Sequence, residues 1–306
     1  MHELPISETL SKIAPIVLSF FLGFFLKKRR LFTPEHAEIF LKLIFYVALP
    51  PLVLLSVLRT ELSLELFYLP VTCIIVVLVA FPIVRSVGSR SFHLNRPSLG
   101  VFIVGPLIVN TTFVLPFLLA AYGPEAIARL SIFDVGNNIM IYSLAYYSAH
   151  RYGSDSGSRT ILKVISQSPL LYALLLGLIL NAAKVSLPPV CLNFFHGLAD
   201  MVTPLVMLSL GIYFSPAVTR IGPTFASIAI RMAVGFFTAL ICVSLLGVHG
   251  LSRVVILVAS AAPVGFTTLT FAAITGLNTE LAASCVSYSI LIGLLTTPLI
   301  IFFVSH

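Results

Sequence analysis

The sequence is poor in charge. Of 306 residues, 9% are Asp, Glu, Lys or Arg, where soluble domains carry about 25%. With 58% hydrophobic residues and a mean hydropathy of +1.08, a water-soluble fold is excluded. Tryptophan is absent, so an interfacial aromatic belt falls to Tyr and Phe. Cysteine is scarce: Cys73, Cys191, Cys242 and Cys285 stand singly in apolar stretches, which excludes a disulfide framework or CxxC redox pair and makes them small buried hydrophobes. HExxH, GxxxxGK[ST], Asp-rich prenyltransferase-type motifs and paired His/Cys ligand spacings are also missing. An enzyme is therefore not expected, nor a cofactor. Net charge of +7 reflects membrane orientation rather than a nucleic-acid partner. A basic leader and small-residue cleavage site are lacking at the first apolar segment, so no cleaved signal is expected.

What is present is long apolar runs. Segments fall near residues 6–26, 36–58, 66–87, 98–122, 125–148, 161–182, 190–213, 224–247, 252–275 and 280–303. A spanning helix needs about 20 apolar residues, so this is one all-α polytopic membrane domain of ten transmembrane helices. The punctuation is charge and turn chemistry, with a Gly/Ser-rich linker from Gly153 to Ser158 at the midpoint. Pro51-Leu52-Val53-Leu54-Leu55-Ser56-Val57 reappears as Pro204-Leu205-Val206-Met207-Leu208-Ser209-Leu210, and Pro15 and Gly23 match Pro169 and Gly177. Residues 1–153 and 154–306 thus read as two five-helix repeats. An odd span number inverts the second relative to the first. With both termini outside, eleven lysines and arginines fall in inner loops against four in outer ones, the bias that sets orientation.

Two carboxylates lie well inside spans, Asp134 and Asp200. Each sits roughly 10–15 Å below the outer boundary at helical rise, where an ionised group costs at least about 2.5 kcal/mol without water or a partner. Asn137 and Asn138 share the face of Asp134. This face lines a solvated cavity or glues helices together. Arg231, about eight residues into segment eight, either snorkels to the interface or acts as a counter-charge for Asp134, Asp200 or an anion.

Segments four and nine carry the strongest pointer. Segment four reads Gly105-Pro106, then Asn110-Thr111-Thr112 and Pro116; segment nine reads Ala261-Ala262-Pro263-Val264-Gly265-Phe266-Thr267-Thr268. Pro116 should break the helix near Thr112, and freed backbone groups are tolerated in a bilayer only where they line a cavity or meet protein. Asn110 maps on Pro263 at an offset of 153, and interrupted segments at corresponding places mark a transporter binding site.

The chain resembles the auxin efflux carrier family of permeases. The likeness runs through Leu22-Gly23-Phe24, Ala48-Leu49-Pro50-Pro51, Ser168-Pro169-Leu170 to Gly177-Leu178, Leu187-Pro188, Thr203-Pro204 to Gly211, and Ala282-Ala283-Ser284 to Thr297-Pro298-Leu299. That resemblance implies a bile-acid-symporter-like fold in which helices four and nine unwind and cross, with Asn110 at the binding pocket. The expectation is a carrier for small organic anions such as mono- or dicarboxylates in the plasma membrane. Asn110, Thr111, Thr112, Thr267 and Thr268 bind substrate; Pro116 and Pro263 hold the breaks open; Asp134, Asn137, Asn138, Asp200 and Arg231 handle a coupling ion or line the cavity. No metal site is expected. Proton coupling, sodium coupling and uniport stay open, as does assembly as a homodimer. A substrate-sensing receptor and a membrane-embedded enzyme are the alternatives.

Overall fold

A computed structural model describes residues 6–58, 60–153, 168–215 and 220–305. The midpoint linker from Ser154, the start of segment six, and Arg59, Arg159 and Lys163 of the orientation count lie outside these residues.

The described chain is helical, and its helices begin and end where local chemistry dictates. α1 spans Ile6–Lys28 and ends in its basic run, favourable at the negative end of the helix dipole. α2 (Pro34–Leu58) and α3 (Leu64–Arg90) follow. Pro34 sits at the start of α2 behind an extended Thr33, where a missing N–H costs nothing. α4 (Arg96–Val104) is capped by Asn95, whose side chain accepts from Ser98 N. α5 covers Thr111–Tyr122, and α6 runs over 124–152. Gly123 joins them at φ +70° with Pro124 directly behind, a backbone setting that glycine adopts without a Cβ penalty.

The second half continues with α7 (Pro169–Ala182), α8 (Pro189–Tyr213) and α9 (Ile221–Leu245). Then come α10 (Gly250–Ser260), α11 (Thr267–Thr275) and α12 (Thr279–Ser305). α2, α3, α8, α9 and α12 are each long and apolar enough to cross a membrane, while α5, α7 and α10 are shorter apolar helices.

The helices sort into two groups by contact. α1 packs on α8, α2 on α7 and α8. α3, α6, α9, α10 and α12 surround the short helices α4, α5 and α11. The first group is held by close backbone approach. A Cβ on Gly23 would strike the Leu208 carbonyl, and one on Gly177 would lie 3.0 Å from Val57 Cβ and 3.4 Å from the Leu54 carbonyl. Both Gly23 and Gly177, and Leu54 and Leu208, are separated by 154 positions.

Among the described residues, three helices contain a single π-helical turn: Ile44–Ala48 in α2, Ile141–Ala145 in α6 and Ile230–Val234 in α9. Such turns widen a helix locally and cluster at functional sites. Periodicity does not predict them.

Candidate functional site

Segment four breaks between α4 and α5, and segment nine between α10 and α11. Gly105–Leu107 closes α4 in a tight turn, after which Ile108 is extended. Ala261 ends α10, and Thr267 begins α11. The two extended pieces meet. Val109 and Val264 form an isolated antiparallel bridge, with Asn110 N donating to Pro263 O at 3.1 Å and Gly265 N to Ile108 O at 3.0 Å. Asn110 and Pro263, paired by the sequence offset, are thus joined by a hydrogen bond.

The outward groups of this bridge have no water to turn to, and side chains satisfy them. Asn137 on α6 accepts from Val109 N at 3.2 Å and donates to Val109 O at 3.1 Å. Ser289 Oγ on α12 accepts from Val264 N at 3.0 Å, and Asn110 Nδ2 donates to Val264 O at 3.3 Å. Nearly every buried backbone polar group in native proteins is paired in this way. Asn137→Ala would strand two buried backbone groups at about 1–3 kcal/mol each. A thermal midpoint lowered by roughly 5 °C or more is expected, and an unchanged midpoint would contradict it.

Pro116 is not at the break. It lies inside α5, six positions into the helix, because Gly105-Pro106 ends the preceding helix earlier. Pro263 does lie in the break of segment nine.

Asp134 faces the start of α5. Thr111 Oγ1 donates to Asp134 Oδ1 at 2.8 Å, Asn137 Nδ2 to the same oxygen at 2.8 Å, and Asn138 Nδ2 to Oδ2 at 2.7 Å. Three side-chain donors thus hold this carboxyl group in one orientation. It borders a cavity of about 300 Å³ with Thr111, Thr112, Ser131, Asn138 and Tyr142. The opposite wall is apolar, from Leu49 and Val53 of α2 and Leu170, Leu171 and Leu174 of α7. The cavity therefore lies between the two helix groups. Its volume matches the lower end of small-molecule sites, which combine apolar walls with a few convergent polar groups. Among the described residues of the lining, Asp134 is the only acidic or basic one, and π-helical turns supply Phe45 and Tyr142.

Several expected site residues lie elsewhere. Asn110 is buried and caps α5, accepting from Phe113 N at 3.1 Å; it builds the crossing without lining the cavity. Thr267 and Thr268 open α11 away from the cavity, Thr268 being fully enclosed. Asp200 sits at a bend in α8 and is exposed, beside His196 at a small pocket of about 90 Å³. It lies midway along α8, a helix long and apolar enough to cross a membrane, and does not line the Asp134 cavity. Arg231 neither snorkels nor meets a carboxylate. Fully buried, it donates from Nη1 to Pro106 O at 3.0 Å and from Nη2 to Ser260 O at 2.7 Å. These are the closing carbonyls of α4 and α10, the negative ends of two half-helices. One guanidinium therefore ties both broken segments together. Gly235, one turn on, makes this reach feasible: a Cβ there would strike the Ser260 carbonyl and lie 2.7 Å from Arg231 Nη2.

Sequence reasoning missed Ser131, Tyr142 and Ser289. The first two lie on the Asp134 face by helical spacing, a readable signal; Ser289 carried none.

The membrane transport protein family model matches residues 9–156 and 156–301, nearly the whole chain. An uncharacterized transporter of Methanocaldococcus jannaschii is 28% identical over 293 residues, covering 93% of this chain and 95% of that protein. Another, from Methanothermobacter thermautotrophicus, is 26% identical over 300 residues, covering 96% of each. An apolar helical chain with two interrupted segments bonded together inside it, matched end to end by this family, is a membrane transporter: the protein belongs to the membrane transport protein family that includes the auxin efflux carriers.

Proposed function

We propose that this protein is a secondary carrier for small organic anions, mono- or dicarboxylates with an apolar body, working by alternating access around the bonded breaks. In this reading each broken pair, α4–α5 and α10–α11, counts as one span, so the chain makes ten spans as two inverted five-helix repeats. The matched contacts at an offset of 154 and the hydrogen bond from Asn110 N to Pro263 O support it. Both termini then lie outside a plasma membrane.

The observation that carries the proposal is the cavity. It is lined by α2 and α7 on one side and by α5 and α6 on the other, it borders the first turn of α5, and it combines a polar edge with apolar residues. A group of helices that slides past a fixed partner carries such a cavity from one side to the other. The positive dipole end of α5 favours a carboxylate. Asp134 opposes it. A second negative charge near that carboxylate is unfavourable by a few kcal/mol at an intermediate dielectric, so the anion enters with a proton or a sodium ion. Thr111, Thr112 and Asn138 then hold the substrate's polar end, with Asp134 holding the cation.

Counterflow of labelled mono- and dicarboxylates in proteoliposomes tests this directly. Uptake is expected to rise severalfold when a proton or sodium gradient is imposed, relative to empty liposomes. Binding without counterflow would instead identify a receptor, and no binding of any organic acid would remove the substrate class.

A further inference from the structure

The crossing carries one charge of each sign. Among the described residues, Arg231 on α9 is the one charged side chain that is fully buried, and its guanidinium rests on the carbonyls of Pro106 and Ser260. Asp134, half-buried on α6, is held by Thr111, Asn137 and Asn138. Each charge is thus supported by neutral partners. Both belong to the helix group packed around the broken segments. The other described charges of that group lie near helix ends, where Arg129, for one, meets Glu125 at 3.4 Å. A guanidinium stays protonated in any protein, so with Asp134 ionised the interior of this group sums to zero.

The lining decides what can enter without disturbing that sum. Among the described residues it offers one carboxyl group, Asp134, and no lysine, arginine or histidine. One cation held at Asp134 balances one carboxylate of the cargo. A second carboxylate would meet only uncharged side chains, such as Ser131 and Tyr142 or the leucines of α2 and α7, and a charge taken from water without a partner is strongly unfavourable.

We propose that the cargo is a monocarboxylate carried with a single cation, so that neither the loaded nor the empty carrier moves net charge across the membrane. This rests on the anion-carrier reading above and narrows it by excluding dicarboxylates. Arg231 is then the fixed counter-charge of Asp134, acting through the body they share rather than by contact.

The probes are labelled monocarboxylates and dicarboxylates of equal carbon number, among them 2-oxopentanoate and 2-oxoglutarate, whose acidity keeps leakage of the neutral form low. Uptake into proteoliposomes of the intact protein is driven by a proton or sodium gradient, with the potential clamped by potassium and valinomycin. Between zero and about −100 mV inside, monocarboxylate accumulation should change less than about twofold, where one net charge per cycle would shift it about 50-fold. Each dicarboxylate should enter at least about tenfold more slowly than its match, given the added repulsion from Asp134. A shift approaching 50-fold, or dicarboxylate uptake equal to that of its match, would overturn this proposal and leave the carrier reading standing. Entry of no acid at all would remove both. The buried charge has its own readout. Exchange by the loaded carrier, insensitive to potential in the parent, should become potential-dependent in Arg231→Gln and stay insensitive in Arg231→Lys; insensitive exchange in both would overturn the role of Arg231. If neither variant folds, accumulation and the dicarboxylate ratio in the parent protein decide.

Discussion

Asp134→Asn is expected to make anion binding tighter at high pH without sodium, while abolishing accumulation driven by an ion gradient. Among the described residues, this carboxyl group is the one acidic or basic side chain bordering the cavity. A substrate carboxylate about 5 Å away would meet a repulsion of roughly 3 kcal/mol at an effective dielectric of 20, or about two orders of magnitude in affinity. Parent-protein affinity for an anion should therefore rise as protons or sodium ions are supplied; in the variant it should be flat and high. The substitution has its own structural cost. An amide at this position turns one donor toward Asn138 Nδ2, which now donates to Asp134 Oδ2, and one unsatisfied contact costs about 1–3 kcal/mol. The fold survives that loss, since Asn137 keeps both of its bonds to Val109. Isothermal titration at pH 8 without sodium separates the outcomes. Weaker or unchanged binding in the variant would mean that Asp134 does not repel the substrate, and the coupled-anion mechanism would go with it.

Gly211→Leu should all but eliminate folded protein, where the same change at Gly197 should be tolerated. Gly211 faces α1 so closely that a Cβ would strike the Phe20 carbonyl and lie 2.8 Å from Phe24 N. Both obstacles are backbone, so relief requires moving the helices apart. Separation would also undo the contacts of Phe214 with Phe20 and Phe24, at ring distances of 5.7 and 5.6 Å, and the 2.7 Å bond from Lys27 Nζ to Phe214 O. Overpacking a core costs about 1–3 kcal/mol for small insertions, and each aromatic pair contributes about 0.5–1.5 kcal/mol beyond its area. Together these approach the whole stability of a typical domain. Nothing lies within 4 Å of a Cβ at Gly197, and such open positions shift stability by about 0.5 kcal/mol or less. Size-exclusion yield in detergent is the readout; equal yields for the two leucine variants would refute the close approach of α1 and α8.

Much of this molecule is legible residue by residue. Apolar run length marks the membrane segments, since a bilayer imposes a length on anything that crosses it. Proline marks segments four and nine as places where a helix is weakened, because a missing N–H is a local property, but it does not fix where the helix ends: Pro263 lies in a break while Pro116 lies within α5. The spacing of Asp134, Asn137 and Asn138 puts them on one face by helical geometry alone, and that face does border the cavity. The family resemblance stood in motifs such as Thr203-Pro204 to Gly211.

Other features depended on partners that no local rule can reach. Pro116 looked like the breaking point but sits within α5, because the chain had already ended its helix at Gly105-Pro106 and could restart with Asn110 as cap. Asn110 bonds to the carbonyl of Val264, 154 residues away, a partner that no local rule picks out. Arg231 offered two readings by its depth, an interface anchor or a counter-ion; tertiary structure buries it against two carbonyls 125 and 29 residues distant. Asp200 matched Asp134 in depth but emerged at a bend in α8, uncovered. Chain order specifies which backbone groups are freed, through sterics and missing donors that act within a turn. Which side chain answers each freed group is decided by packing across the membrane interior, where an unanswered dipole is so unfavourable that distant asparagines, serines and one arginine are drawn to the same few peptides.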